Sequence, residues 1–383
     1  MVQVHMVQNV KAVIGEGSLA KIVDILADSG KKKPLFVCDA GIVKAGILDM
    51  ATEALKANNV EFAVYDKCLP DPPAYTVQEG FEFFQANGCD TVIAVGGGSA
   101  MDTAKGINIL RFNEGPIIRY SDMSVPMNPA PGLIAIPTTS GTGSELSDGL
   151  VLSEGTTKIA VVAPLAMSEY AILDPRIMVG LPAHITASTG MDVLAHAAEA
   201  YVSNISNSFT DMVSEKLIEV VYDYLPIATH DPKNMVAREK MCVAACLAGW
   251  MLGQAHSIAG HSIAHAIGGH YHIPHGFACA YALPPVLEYC VDCCPEKIKK
   301  IGEIFKVQFT GNETNAQIGE MTKKAIADFR DNKLGLKAAK DWDHTASPFA
   351  DVADTALKDV FQLFNPRKMT KDECIAILEE IFA

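Results

Sequence analysis

The feature that most restricts the fold of this chain is a change in its patterning near Pro182. Upstream of that residue, short apolar runs alternate with amphipathic stretches. "PLFVCD" (34–39), "EFAVYD" (61–66), "TVIAVGGG" (91–98) and "LIAIPTT" (133–139) read as buried strands. Between them, "GILDMATEALKANN" and "TVQEGFEFFQANG" carry helical spacing and stop at Asn or Gly. Such alternation predicts a parallel sheet covered by helices, with ligands bound beyond the C-terminal ends of the strands. Downstream, "ITASTGMDVLAHAAEAYVS", "SFTDMVSEKLIEVVYDYL" and "NMVAREKMCVAACLAGWML" are long helical stretches, and the pattern continues to "KDECIAILEEIFA". The chain therefore reads as an α/β domain over 1–183 followed by an all-α domain over 184–383. With no repeat or low-complexity linker between them, the halves are expected to pack around one cleft.

Two domains also suit the length, since 383 residues exceed what one hydrophobic core usually serves. The formal net charge of −14, with no basic run longer than "KKK" (31–33), argues against nucleic-acid binding. "MVQVHMVQNV" lacks the basic and apolar regions of a secretory signal, and no apolar run is long enough for a membrane helix. The ten cysteines show no zinc-type CxxC…CxxC pattern and read as free thiols in a reducing compartment. A soluble cytoplasmic protein, without nucleic-acid or membrane partners, is the expectation.

Three strand ends form a candidate dinucleotide site. "TVIAVGGGSAMDTAKG" gives a strand, three glycines and a helix expected to open at Ser99. Glycines let the backbone approach a pyrophosphate, and a helix start offers free N–H groups. The turn is not GxGxxG, so taken alone it fits a tight turn as well as a cofactor site. "IPTTSGTGSE" (136–145) follows another strand and could wrap a ribose or nicotinamide, or form an ordered loop. Asp39 ends a third strand, where a carboxylate can accept from a ribose 2′-OH and repel a 2′-phosphate.

The second half carries a candidate metal site. Asp192 and His196, four apart in "GMDVLAHAAEAY", fall on one helix face, as do His261 and His265 in "GHSIAHAIGGHYHIPHG". Carboxylate and imidazole donors without thiolate suit Fe(II) or Zn(II). Spacing alone selects Asp192, His196, His261 and His265, with a surface Asp–His pair as the plain alternative. It leaves His275 open as a ligand, in a turn made by Pro274 and Gly276.

In order, "GGGSAMDTAKG", "IPTTSGTGSE", "ASTGMDVLAHAAEAYVS", "GHSIAHAIGGHYHIPHG" and "FNPRKMT" resemble motifs of the iron-containing (group III) alcohol dehydrogenases over nearly the whole chain. The resemblance implies an N-terminal Rossmann-like α/β domain (1–183) that binds the dinucleotide. It also implies an all-α C-terminal domain (184–383) for metal and substrate, the dehydroquinate synthase-like architecture, with the active site in the cleft. It implies NAD, Fe(II) or Zn(II), a small alcohol or aldehyde substrate, and a homodimer or larger homo-oligomer. The implied ligands are Asp192, His196, His261 and His275, with His265 beside the site as a proton-exchanging or orienting group. The implied cofactor residues are Asp39, Gly97, Gly98, Ser99, Asp102, Thr138, Thr139, Thr142 and Lys158, with Asp39 favouring NAD over NADP. Departures from the family pattern are Asp71 where Asn is common, Gly149 in place of a larger side chain, and His256 in "WMLGQAHSIAG". The last two fall near the alcohol pocket that the resemblance implies. His256, His270 and His272 are expected to pack or face solvent.

The expected reaction is reversible hydride transfer between NAD(H) and a small primary alcohol or diol, with the metal as Lewis acid. The alternatives are a zinc-dependent polyol or 4-hydroxybutyrate-type dehydrogenase, or a lyase of the same fold. A lyase would need a basic phosphate-binding cluster, and none accompanies these histidines. A non-catalytic metal-binding protein would leave the GGGS turn and Asp39 without purpose.

Overall fold

A computed structural model describes residues 7–155 and 157–383. The chain divides into two compact units at the Gly180–Leu181 bond, slightly upstream of the expected 183/184 boundary.

The first unit is built on β1 (Lys11–Ile14), β2 (Pro34–Val37), β3 (Ala63–Tyr65), β4 (Thr91–Gly96), β5 (Leu133–Pro137), β6 (Gly149–Glu154), β7 (Thr157–Val162) and β8 (Tyr170–Leu173). Its helices are α1 (Ile22–Asp28), α2 (Ala40–Lys44), α3 (Ile47–Ala57), α4 (Ala74–Ala86) and α5 (Gly98–Leu110). Among the described residues six strands form one sheet in the order β1-β8-β5-β4-β2-β3, with every neighbouring pair parallel. β2, β4 and β5 are buried along their whole length, as expected for strands covered on both faces. After β2 the chain moves outward to β3, then returns across β2 to β4. Strand order therefore reverses between β2 and β4, the place where doubly wound sheets bind ligands. β6 and β7 form a separate antiparallel hairpin.

β1, β8 and this hairpin are absent from the sequence reading. β1 is largely exposed and carries no buried apolar run, unlike the equally short β2, and β8 is recognised by its pairing with β1 and β5. α5 begins at Gly98, with Gly97 as its N-cap, one residue before the expected Ser99.

The second unit is helical: α6 (Ala183–Val202), α7 (Ser208–His230), α8 (Met235–Leu252), α9 (Ala259–Tyr271), α10 (His275–Cys290), α11 (Pro295–Ile304), α12 (Asn315–Asp328), α13 (Phe349–Ala356) and α14 (Lys371–Phe382). α6 is its axis. Almost every side chain from Thr186 to Val202 is buried, and α7, α8, α9 and α10 all pack against it. Small residues permit this close packing: Cβ atoms added at Gly190 and Gly276 would meet Leu225 Cδ1 at 2.1 Å and Ser188 O at 2.4 Å. His275 does not lie in a turn, as the sequence suggested. Pro274 caps α10, whose first residue is His275, because proline's fixed φ suits a helix start. The reversal before it uses His272 in a left-handed conformation (φ 54°) as the C-cap of α9.

Candidate functional site

In the first unit, the C-terminal ends of the adjacent strands β5, β4 and β2 bring together Thr138, the GGGS turn and Asp39. The α5 N-terminus has no side-chain cap, which leaves its first N–H groups available to an anion. Cβ atoms at Gly97 and Gly98 would meet Thr139 Oγ1 at 3.2 Å and Thr142 Cγ2 at 3.0 Å, so glycine permits the threonine loop to close over the turn. Thr138 N donates to Gly96 O at 3.0 Å, tying loop to turn.

The loop is also strapped to α5 from below. Asp102 accepts from Ser144 Oγ (3.1 Å) and Val151 N (3.0 Å). Buried Lys105 donates to Ser144 Oγ, Ser147 O and Ser147 Oγ (3.0 Å each) and to Gly149 O (2.7 Å). Asp102 therefore holds the loop in place, with both carboxylate oxygens engaged.

Asp39 Oδ1 caps α2 by accepting from Gly41 N (2.7 Å) and Ile42 N (3.1 Å), leaving Oδ2 as the oxygen able to meet a ribose hydroxyl. Lys158, in β7, donates from Nζ to Asp71 Oδ1 at 2.7 Å. The aspartate at 71 thus makes an ion pair where asparagine would make a neutral contact. Gly149 begins β6, and a Cβ there would approach only Val161 O, at 3.8 Å.

The second unit gathers the other candidate residues around one buried oxygen. Asp192 Oδ1 has His261 Nε2 at 3.5 Å, His275 Nε2 at 3.5 Å and His196 Nε2 at 3.8 Å. It is buried, yet no described residue hydrogen-bonds to it, a costly state unless a cation satisfies it. Ligands ~2.1 Å from one ion at tetrahedral angles stand ~3.4 Å apart, so the His261 and His275 separations fit a common ion, with His196 slightly farther out. Burial pulls the Asp192 pKa upward, but the imidazoles of His196, His275 and His261 outweigh it and hold the carboxyl well below its usual range. Burial pushes the His196 imidazole down to about 4, which keeps it neutral with a lone pair to offer. The side chains of Asp192, His196 and His261 are at most 4% exposed and that of His275 is 31% exposed, so solvent approaches from the His275 side.

Three further residues complete the site. Glu199, fully buried, accepts from His261 Nδ1 (2.8 Å), His261 N (3.2 Å) and Ile258 N (2.7 Å), so that His261 Nε2 faces Asp192. Such a carboxylate–imidazole pair fixes the tautomer of a ligating histidine. Glu199 stood in plain view as the i+3 neighbour of His196 on the same helix face. Asp359 Oδ2 lies 2.8 Å from His265 Nδ1, a pairing across 94 positions that spacing could not find. Asp359 thereby fixes the orientation of the His265 ring, which stacks on that of His275 at 5.3 Å. Cys279 follows His275 by one helical turn, and its Sγ lies 3.5 Å from His275 Nε2. Burial pushes its thiol up to about 12. Of the other histidines in this stretch, His272 is exposed at the end of α9, and two have packing partners. His256 stacks on Phe364 (4.1 Å), and His270 bonds Ser347 and Thr355 at 2.9 Å each.

The iron-containing alcohol dehydrogenase model matches residues 9–175, and the model for the C-terminal part of the Fe-containing alcohol dehydrogenase family matches 186–382. The chain belongs to the iron-containing alcohol dehydrogenase family. It is 35% identical over 360 residues to the 1,3-propanediol dehydrogenase of Klebsiella pneumoniae, covering 92% of each chain. The crystal structure of a 1,3-propanediol oxidoreductase superposes with a TM-score of 0.94 at 33% identity, covering 100% of both chains. Sulfoacetaldehyde reductase from Bifidobacterium kashiwanohense, solved in complex with NAD+, gives 0.88 at 28% identity over 100% of both. The protein is therefore an oxidoreductase of the alcohol dehydrogenase kind, working with NAD and a metal ion. The strand-end turn and the unsatisfied Asp192 oxygen are the features that fit those two groups. Among the described residues no helix is long and apolar enough to cross a membrane.

Proposed function

We propose that this enzyme interconverts a primary alcohol or diol of about three to five carbons with its aldehyde, using NAD(H), in the cytoplasm and as a homodimer or larger homo-oligomer. The observation that carries the reading is Asp192 Oδ1, buried, without a hydrogen bond and ringed by three imidazole nitrogens. Asp192, His196, His261 and His275 hold the ion, iron(II) or zinc(II). Bound there, the ion supplies a Lewis acid for the alcohol oxygen, and NAD supplies the hydride acceptor. Gly97, Gly98 and Ser99 receive the pyrophosphate at the α5 N-terminus. Thr138, Thr139 and Thr142 line the ribose and nicotinamide, and Asp102 keeps their loop in register. Asp39 Oδ2 accepts from the adenosine ribose and disfavours a 2′-phosphate, and Lys158 reaches a ribose.

His265 exchanges the alcohol proton at Nε2. Its Nδ1 is committed to Asp359, which orients the ring and leaves Nε2 for the exchange. The diol reading draws support from the 1,3-propanediol dehydrogenase relative. The test is a panel of alcohols, diols and aldehydes on metal-reconstituted protein with NADH and NADPH. The expected result is highest kcat/KM for three- to five-carbon substrates with NADH. A maximum at two carbons, or equal use of both cofactors, overturns the corresponding part.

A further inference from the structure

Cys279 supports an inference that rests on the ion-binding reading above and deepens it. It lies one turn after His275 on α10, so both side chains leave the same helix face. Its Sγ is 3.5 Å from His275 Nε2 and 3.8 Å from His261 Nε2. A metal–sulfur bond of ~2.3 Å and a metal–nitrogen bond of ~2.1 Å at a tetrahedral angle place the two donors ~3.6 Å apart. One donor atom each from Asp192, His261, His275 and Cys279 lie within 4.8 Å of one another, a set that holds the thiol but not His196. The orphaned Asp192 Oδ1 independently marks the same spot, since a buried carboxylate oxygen without a donor calls for a cation.

We propose that Cys279 Sγ is a direct ligand of the bound divalent cation, placing one sulfur beside the oxygen and nitrogen donors. Binding breaks the S–H bond, forms a sulfur–metal bond and releases the proton to solvent, with no change of oxidation state. Thiolate is a soft donor, so the site leans toward zinc(II) relative to one built of carboxylate and imidazole alone. His196, with Nε2 3.8 Å from Asp192 Oδ1 and its ring stacked on His261 at 4.5 Å, remains a nitrogen donor of the same ion.

X-ray absorption at the zinc edge of the wild-type protein, loaded with zinc(II) and freed of excess, tests this directly. The expected spectrum contains one sulfur scatterer at ~2.3 Å beside nitrogen and oxygen. Cobalt(II) in place of zinc should add a sulfur-to-metal charge-transfer band in the near ultraviolet. In Cys279→Ser both signals should vanish while about one metal per chain is retained, and zinc(II) affinity should fall more than iron(II) affinity. Bound zinc with only nitrogen and oxygen neighbours overturns the role of Cys279 and leaves the ion site standing. A sulfur shell that persists in Cys279→Ser also overturns it. Failure of the wild-type protein to retain zinc or cobalt overturns both this proposal and the ion-binding reading beneath it.

Discussion

Glu199 accepts three N–H bonds, from Ile258, from the His261 backbone and from His261 Nδ1. Glutamine has one carbonyl oxygen and would turn an NH2 group toward at least one of these donors. Glu199→Gln should therefore weaken metal binding about 10–100-fold through misorientation of His261. Chelator competition checks this, and an affinity within twofold of wild type would contradict it. Asp174, in the first unit, is fully buried and accepts from Gly17 N (3.0 Å), Leu19 N (3.3 Å) and the Arg176 guanidinium (2.7 and 2.9 Å). Burial raises its pKa, but Arg176 and the backbone N–H groups outweigh it and the carboxyl titrates below its ordinary value. A carboxyl with a depressed folded pKa contributes stability that is present above the unfolded value of ~3.9 and is lost as pH falls through the lower folded value. Asp174→Asn should cost about 3 kcal/mol at pH 7, and its gap from wild type should narrow below pH ~4. Urea unfolding at several pH values measures both, and a gap independent of pH would sink the assignment.

At the scale of elements, α6 carries Asp192 and His196, α10 carries His275, and Gly276 sets the separation of the two helices. A methyl group at 276 would meet the Ser188 carbonyl, a backbone atom that cannot swing aside, at 2.4 Å. Gly276→Ala should therefore displace the first turn of α10, lowering stability by about 1–3 kcal/mol and releasing metal because His275 moves with it. Wild-type metal content in a folded Gly276→Ala protein would show that α10 does not position the ligand. The same elements show what the sequence could reveal. β2, β4, β5, α6 and α7 were legible because each repeats one burial pattern over enough residues. β1 was not, because it is largely exposed and makes no buried apolar run, and β8 is recognised by its pairing with β1 and β5. Asp192 with His196 was legible from one helix turn, whereas preferring His275 to His265 came from the family resemblance, against the i, i+4 spacing; the path of the chain through His272 and Pro274 brings His275 Nε2 to 3.5 Å from Asp192 Oδ1. Asp359 was illegible, because nothing local links it to His265. Cys279 was visible at i+4 from His275 and went unused, because scattered cysteines most often pack as small apolar groups.

At the scale of the whole molecule, both tryptophans, Trp250 and Trp342, belong to the helical unit, so their fluorescence follows the unit that carries the ion site. An ion that binds only the folded state, supplied at 100 times its Kd, stabilises by about 2.7 kcal/mol. The tryptophan-monitored transition should accordingly rise by roughly 5–10 °C with metal and fall back with chelator. An unchanged transition at saturating metal would place the ion elsewhere. The proposed chemistry depends on one assignment, the ion on Asp192 with His275 and the proton on His265. Metal content per chain, measured by mass spectrometry on purified wild type, His275→Ala and His265→Ala, tests it most directly. His265→Ala should keep near wild-type metal with turnover slowed by ~10²–10⁴-fold, and His275→Ala should lose most of its metal. Retention of metal by His275→Ala together with its loss from His265→Ala would contradict it.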